Sequence, residues 1–219
     1  MRAYLKAHRP YFGLFAIWAV WAGLIVATTE QGDLHLTFNN FNVVGSDTFF
    51  VYATYLGDGL FAYSLAILLC FVRLRWGLSV FTACLLAGLT SQMLKQSVFG
   101  PVPRPAAFFG KPTPLYLVPG VEQHMLYAFP SGHAAIAFAL ATSLMLLVPW
   151  KSLRAALFFL AMLAAYSRVY LSQHFFEDIY AGSFVGLIAA LIAHRLIVVR
   201  RPKAGTTETA EAAETEPVV

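Results

Sequence analysis

Lys95, Arg104, Ser131, Gly132, His133, Arg168, His174 and Asp178 are the residues of this 219-residue chain whose types and spacing can do chemistry. They fall in three short segments: Lys95 to Pro105, Pro130 to His133, and Ser167 to Asp178. An arginine's planar fork matches two phosphate oxygens at once, which suits Arg104 and Arg168 to clamp a phosphate. Lys95 adds a compact positive charge. Ser131, after Pro130, suits a helix N-cap, so the amides of Gly132 and His133 point outward from a positive helix end, where anions bind. His174 and Asp178 stand at i and i+4, close to one helical turn. The carboxylate can therefore hold one ring nitrogen and leave the other to attack phosphorus. His133 is suited to give a proton to the departing oxygen as general acid. Unaided phosphate-monoester hydrolysis is so slow that such a site must supply on the order of 20 kcal/mol. Three cations, helix-end amides and a nucleophile–acid pair are the sources at hand.

The elements that must position these groups are apolar. The chain is 59% hydrophobic and 12% charged, with a mean hydropathy of +0.67. A soluble domain of this size carries about twice that share of charge, so the composition describes an integral membrane protein. Six apolar stretches approach the ~20 residues a bilayer requires: Tyr11–Thr29, Val51–Val72, Gly77–Val98, Gly132–Trp150, Ser152–Tyr170 and Asp178–Val199. The first is too long for a signal-peptide core and lacks a small-residue cleavage site, so it reads as a retained helix. Residues 30–50 are more polar, with a short amphipathic piece around Leu34 to Val44. Seven prolines between 99 and 131 exclude a continuous helix there. From Pro202 onward Thr, Glu and Ala take over, so the chain divides into an all-α, six-helix membrane domain over 1–200 and a disordered cytoplasmic tail over 201–219. Cys70 and Cys84 lie inside apolar runs, with neither disulfide nor zinc spacing. The basic residues are scattered through short loops, which points away from nucleic acid.

Those loops also give an orientation. With the N-terminus cytoplasmic, 11 of the Lys and Arg residues fall on the inner side, and only Lys95, Arg104, Lys111 and Arg168 fall outside. The positive-inside rule then puts both termini in the cytoplasm. Three of the four outer cations are the site candidates themselves. Charge next to hydrocarbon is costly and marks function. Asp58 reads as a helix cap, Glu177 as facing solvent or headgroups, Glu122 and His124 as residues of the proline-rich loop, and His35 and His194 as structural.

The three segments resemble the signature motifs of the type 2 phosphatidic acid phosphatase superfamily, to which the vanadium haloperoxidases also belong. Pro130-Ser131-Gly132-His133 is similar to the second motif. Ser167-Arg168, five residues, His174, three residues and Asp178 is similar to the third. The resemblance implies a six-helix bundle and a metal-independent, cofactor-free phosphatase with a phosphohistidine intermediate. It implies His174 as nucleophile oriented by Asp178, His133 as acid, and Lys95, Arg104, Ser131, Gly132 and Arg168 as phosphate ligands. The first motif departs from the pattern. Eight residues separate Lys95 from Arg104, two more than in the family, and Ser97 stands where the lysine is expected. Two residues turn a helix by about 200°, so Lys95 reaches the site only if the helix ends early or the next loop bulges.

On this reading the chain removes a terminal phosphate from a membrane lipid, its partner being the bilayer. Polyprenyl pyrophosphate, phosphatidic acid, phosphatidylglycerol phosphate and lipid A are the candidate substrates. The short loops suit a multi-pass protein of a bacterial inner membrane, with its site facing the periplasm or outside. The alternatives are a lipid phosphotransferase using the same intermediate and a non-enzymatic scaffold or transporter. A haloperoxidase is disfavoured, since that chemistry needs bound vanadate.

Overall fold

Long apolar runs leave the backbone no water to bond, and helices satisfy every peptide group internally. The computed structural model follows that rule. It describes residues 2–199 apart from 42, 44 and 113, and among them there is no β-strand. In chain order the helices are α1 (Arg2–Thr28), α2 (Gln31–Asn40), α3 (Asp47–Ala53), α4 (Gly59–Val72), α5 (Leu74–Met93), α6 (Pro105–Phe109), α7 (Gly132–Leu147), α8 (Lys151–Tyr170) and α9 (Phe176–Ile197). The tail expected over 201–219 lies outside the described residues.

The apolar stretch at 51–72 is not one straight helix. Residues Thr54–Gly57 tighten into a 3-10 turn, Asp58 is extended at φ −77° and ψ 141°, and the two halves meet at 51°. Asp58 causes the break locally, because its carboxylate caps the new helix by accepting from the Leu60 amide at 2.7 Å. Gly57 makes the bend fit, since a Cβ there would come within 2.8 Å of the His133 carbonyl oxygen.

Among the described residues, four helices are long and apolar enough to cross a bilayer, or five if the bent α3–α4 pair is counted as one span. The expected fourth span, Gly132–Trp150, is shorter than its hydropathy suggested: α7 stops at Leu147, where Val148 turns extended ahead of Pro149. Its 16 residues reach about 24 Å against a hydrocarbon core of ~30 Å. The shortfall has a physical reason. α7 is the central helix, packed on α5, α8 and α9, so neighbouring side chains rather than lipid surround it.

The central packing is close because it is built from small residues. α7 presents Ala135 and Ala139, and α9 answers with Gly182 and Gly186. A Cβ on Gly186 would collide with the Ala135 carbonyl oxygen, so the two backbones touch. On the other side, Tyr11 of α1 hydrogen-bonds Thr142 of α7 at 2.7 Å, and Trp18 donates to Ser183 of α9 at 3.1 Å. These bonds lock the outer helix to the centre. The end of α5, the start of α7, the end of α8 and the start of α9 meet at one end of the bundle.

Candidate active site

The connection between α8 and α9 is five residues long and folds back on itself. The amides of Gln173 and His174 both donate to the Arg168 carbonyl, at 2.9 and 3.1 Å. That turn drops His174 beside the first turn of α9, where Asp178 is the third residue. One carboxylate oxygen, Oδ2, accepts from the Phe175 amide at 2.9 Å and lies 3.1 Å from His174 Nδ1. The same atom therefore caps the helix and fixes the ring, which leaves Nε2 as the ring's reactive nitrogen. His174 and Asp178 are 2% and 1% exposed. Burial, reinforced by Arg104, Lys95 and Arg168, holds the His174 ring well below the ordinary histidine pKa, so it is neutral at pH 7. Behind the turn, Ser172 Oγ lies 3.3 Å from both Asn39 Nδ2 and His35 Nε2. Burial lowers the pKa of His35 to about 4, a neutral structural ring of α2 as expected.

Three buried cations surround His174. Arg168, in the last turn of α8, donates from Nη1 to Thr54 Oγ1 at 3.0 Å, while its Nε is buried with no partner. Arg104 donates to the Leu126 and Gln173 carbonyls, at 2.9 and 3.1 Å. Lys95 lies within electrostatic reach of His174, Arg104, Arg168 and Asp178. The register problem is solved by the helix itself. α-Helical winding ends at Met93, and Leu94–Phe99 continue as a π-helical turn before Gly100 redirects the chain at φ +71°. Such a widened turn absorbs an extra residue and is often found at functional sites. It makes up part of the two-residue offset, and Lys95 is buried in that turn within electrostatic reach of the cluster.

The second motif closes the cluster. The Ser131 amide donates to the Asp178 carbonyl at 2.9 Å, so the start of α7 is tied to the start of α9. The Ser131 hydroxyl oxygen caps α7 at the Ala134 amide, 3.4 Å away. The Gly132 and His133 amides have no intrahelical acceptor, as at every helix start. A Cβ added to Gly132 would meet nothing within 4 Å, so there is open space beside the start of α7 at Gly132. His133 stands at the rim with 33% of its side chain exposed and Nε2 4.0 Å from Asp58 Oδ2. Asp58 is thus both the helix cap the sequence suggested and a neighbour of the site.

The structure brings together all eight residues singled out in the sequence. Their negative charge is Asp178, with partly exposed Asp58 nearby, against three buried cations. Such a deficit suits a dianion. It does not suit a metal ion, and among the described residues no three His, Cys, Asp or Glu side chains converge as ligands. Two contributors escaped the sequence reading. Thr54 anchors Arg168 from a bend that hydropathy does not reveal. Gln173 bonds both arginines, and its sequence signal is an amide standing between Ser172 and His174 in the short α8–α9 turn. His124, on the proline-rich loop, shares a cavity of about 460 Å³ with Lys95, Gln96 and Arg104.

Comparison with known proteins agrees with this arrangement. No curated protein sequence matches the chain. The crystal structure of Aquifex aeolicus LpxE superposes with a TM-score of 0.65 at 30% identity, covering 74% of this chain and 93% of that one. The first transmembrane PAP2-type phosphatidylglycerolphosphate phosphatase from Bacillus subtilis shares the fold, with a TM-score of 0.63 at 21% identity over 86% of this chain and 96% of that one. Residues 76–202 match the PAP2 superfamily, a range that takes in the eight residues singled out in the sequence and more than half of the chain. The chain belongs to the PAP2 superfamily.

Proposed function

We propose that the protein is a membrane lipid phosphatase that removes a terminal phosphate through a phosphohistidine intermediate. One observation supports this most: a neutral, buried His174 is oriented by Asp178 inside a ring of three buried cations. Arg104, Arg168, Lys95, Ser131 and the Gly132 and His133 amides hold the phosphate oxygens. His174 Nε2 attacks phosphorus, and the phosphorus–oxygen bond to the lipid breaks. His133 supplies the proton that the departing alkoxide or phosphate takes up. Water then attacks the phosphohistidine, His133 accepts its proton, and inorganic phosphate leaves with the ring restored. Asp178 steadies the ring's charge throughout.

The wider reading is a phosphatase domain over residues 1–200 with six membrane crossings, α3–α4 counting as one and α7 as another. Both termini are cytoplasmic and the site opens at the outer face. The 11-to-4 division of Lys and Arg supports it. The substrate is one of polyprenyl pyrophosphate, phosphatidic acid, phosphatidylglycerol phosphate or a lipid A phosphate. The resemblance to a phosphatidylglycerolphosphate phosphatase supports that range. Phosphate release from these four lipids by purified protein in detergent is the test. At least one lipid is hydrolysed without an acceptor, vanadate inhibits and EDTA does not. His174→Ala lowers release by at least about 10⁴-fold. Loss of activity in EDTA, or an active His174→Ala variant, rejects the mechanism.

A further inference from the structure

Gln173 is 1% exposed, and every polar group it owns is engaged. Its side-chain nitrogen donates to the Glu122 carbonyl at 2.9 Å and to Gln123 Oε1 at 3.0 Å. Its side-chain oxygen accepts from Arg168 Nη2 at 3.4 Å. Its backbone carbonyl accepts from Arg104 Nη1 at 3.1 Å, and its amide donates to the Arg168 carbonyl at 2.9 Å. A guanidinium only donates and a peptide carbonyl only accepts, so one orientation of this amide satisfies both neighbours. No other residue type offers an acceptor to Arg168 and two donors to a loop in that space.

The loop concerned, residues 122–127, is also tied to Arg104. The Arg104 amide donates to the Met125 carbonyl at 2.8 Å, and its Nε donates to the Leu126 carbonyl. The segment therefore hangs from two residues of the phosphate site. It carries His124 to the wall of the cavity that Lys95 and Gln96 also line. An arginine held at one edge by a buried amide presents its remaining donors in a fixed direction, while an untethered one loses rotamer freedom on binding.

We propose that Gln173 is a positioning residue that holds the Arg104 and Arg168 guanidiniums and the 122–127 loop in one frame, so that the phosphate clamp and the His124 wall face the same ligand. The proposal rests on the phosphatase reading for its substrate but not for its geometry. Gln173→Met keeps the size and removes the amide. In that variant inorganic phosphate inhibits about tenfold more weakly and KM for the lipid phosphate rises by a similar factor, with kcat far less affected. Hydrogen exchange at the Arg104 and Ala128 amides, which close the loop onto Met125 and Val102, becomes several-fold faster. Gln123→Ala removes the loop's side-chain bonds to Gln173 and to the Leu171 carbonyl and leaves both arginines bonded to Gln173, so it speeds exchange and leaves phosphate inhibition near wild type.

Wild-type phosphate inhibition in folded Gln173→Met overturns the proposal. So does a loss confined to kcat, which marks a purely structural effect on His174. Where Gln173→Met does not fold, Gln123→Ala decides, and unchanged exchange in it overturns the shared frame. If the wild-type protein hydrolyses none of the lipids, the functional reading fails, while phosphate binding and exchange still decide this one.

Discussion

At the scale of single residues, the site depends on a histidine that must stay neutral and a carboxylate that must stay placed. Burial and three cations keep His174 neutral to well below the ordinary histidine pKa. Its nucleophilic form therefore persists as the pH falls through ~6.5. The expected outcome is that the His174 ring itself does not take up a proton near that value, which the imidazole chemical shifts followed by NMR through that pH range check. The sign for stability is opposite. The unfolded chain takes up the proton first, so the ring's contribution to folding is complete above ~6.5 and is lost as the pH falls below it. Asp178→Asn preserves the shape of the helix cap but no longer favours the proton on Nδ1. It should lower kcat by about 10³- to 10⁴-fold, with kcat falling far more than KM rises, as steady-state kinetics would read. His174, Asp178 and Arg168 were legible in the sequence because their relation is local, set within eleven residues of one chain turn. Gln173 was not, because three of its five hydrogen bonds go to groups whose positions depend on the packing of distant segments.

At the scale of elements, hydropathy found the long apolar helices and misjudged several of their bounds, among them the start of α1 at Arg2 rather than Tyr11. It could not see that α5 changes its winding at Leu94, since a π-helical turn has the same apolar composition as an α-helical one. It ran α3 and α4 together because Asp58 is one polar residue in an apolar stretch, although that residue supplies the cap that starts a new helix. It extended α7 to Trp150 by counting apolar residues that follow the last helical one. The contact of α7 with α9 was hidden for a different reason: small residues carry little hydropathy signal, yet Gly182 and Gly186 decide how near the two helix starts lie. Gly186→Ala puts a methyl group into the Ala135 carbonyl and must push the helices apart. A cost of about 1–3 kcal/mol is expected. Thermal unfolding in detergent would show the lower Tm, and kcat should fall with it because Ser131 and Asp178 bridge the same two helices.

At the scale of the whole molecule, the proposed orientation rests on the division of charge, and the structure puts the site at the bundle end opposite the Arg73–Arg75 and Lys151 turns. Cysteine labelling in intact cells tests it. A membrane-impermeant thiol reagent should modify a Lys111→Cys variant and spare Lys151→Cys until the membrane is opened, and the reverse pattern would invert the orientation. Cys70 and Cys84 sit in the apolar body of the bundle, so a Cys-free background is straightforward to compare. The brevity of α7 has its own consequence. The helix whose first amides are proposed to hold the phosphate is about 24 Å long and lies in a bundle facing a hydrocarbon core of ~30 Å. A lipid on this reading does not leave the bilayer to react; its phosphate sinks or the bilayer dimples to meet it. Bilayer thickness then becomes a variable of the reaction, and the same enzyme works at different rates in thin and thick membranes without any change in its own residues.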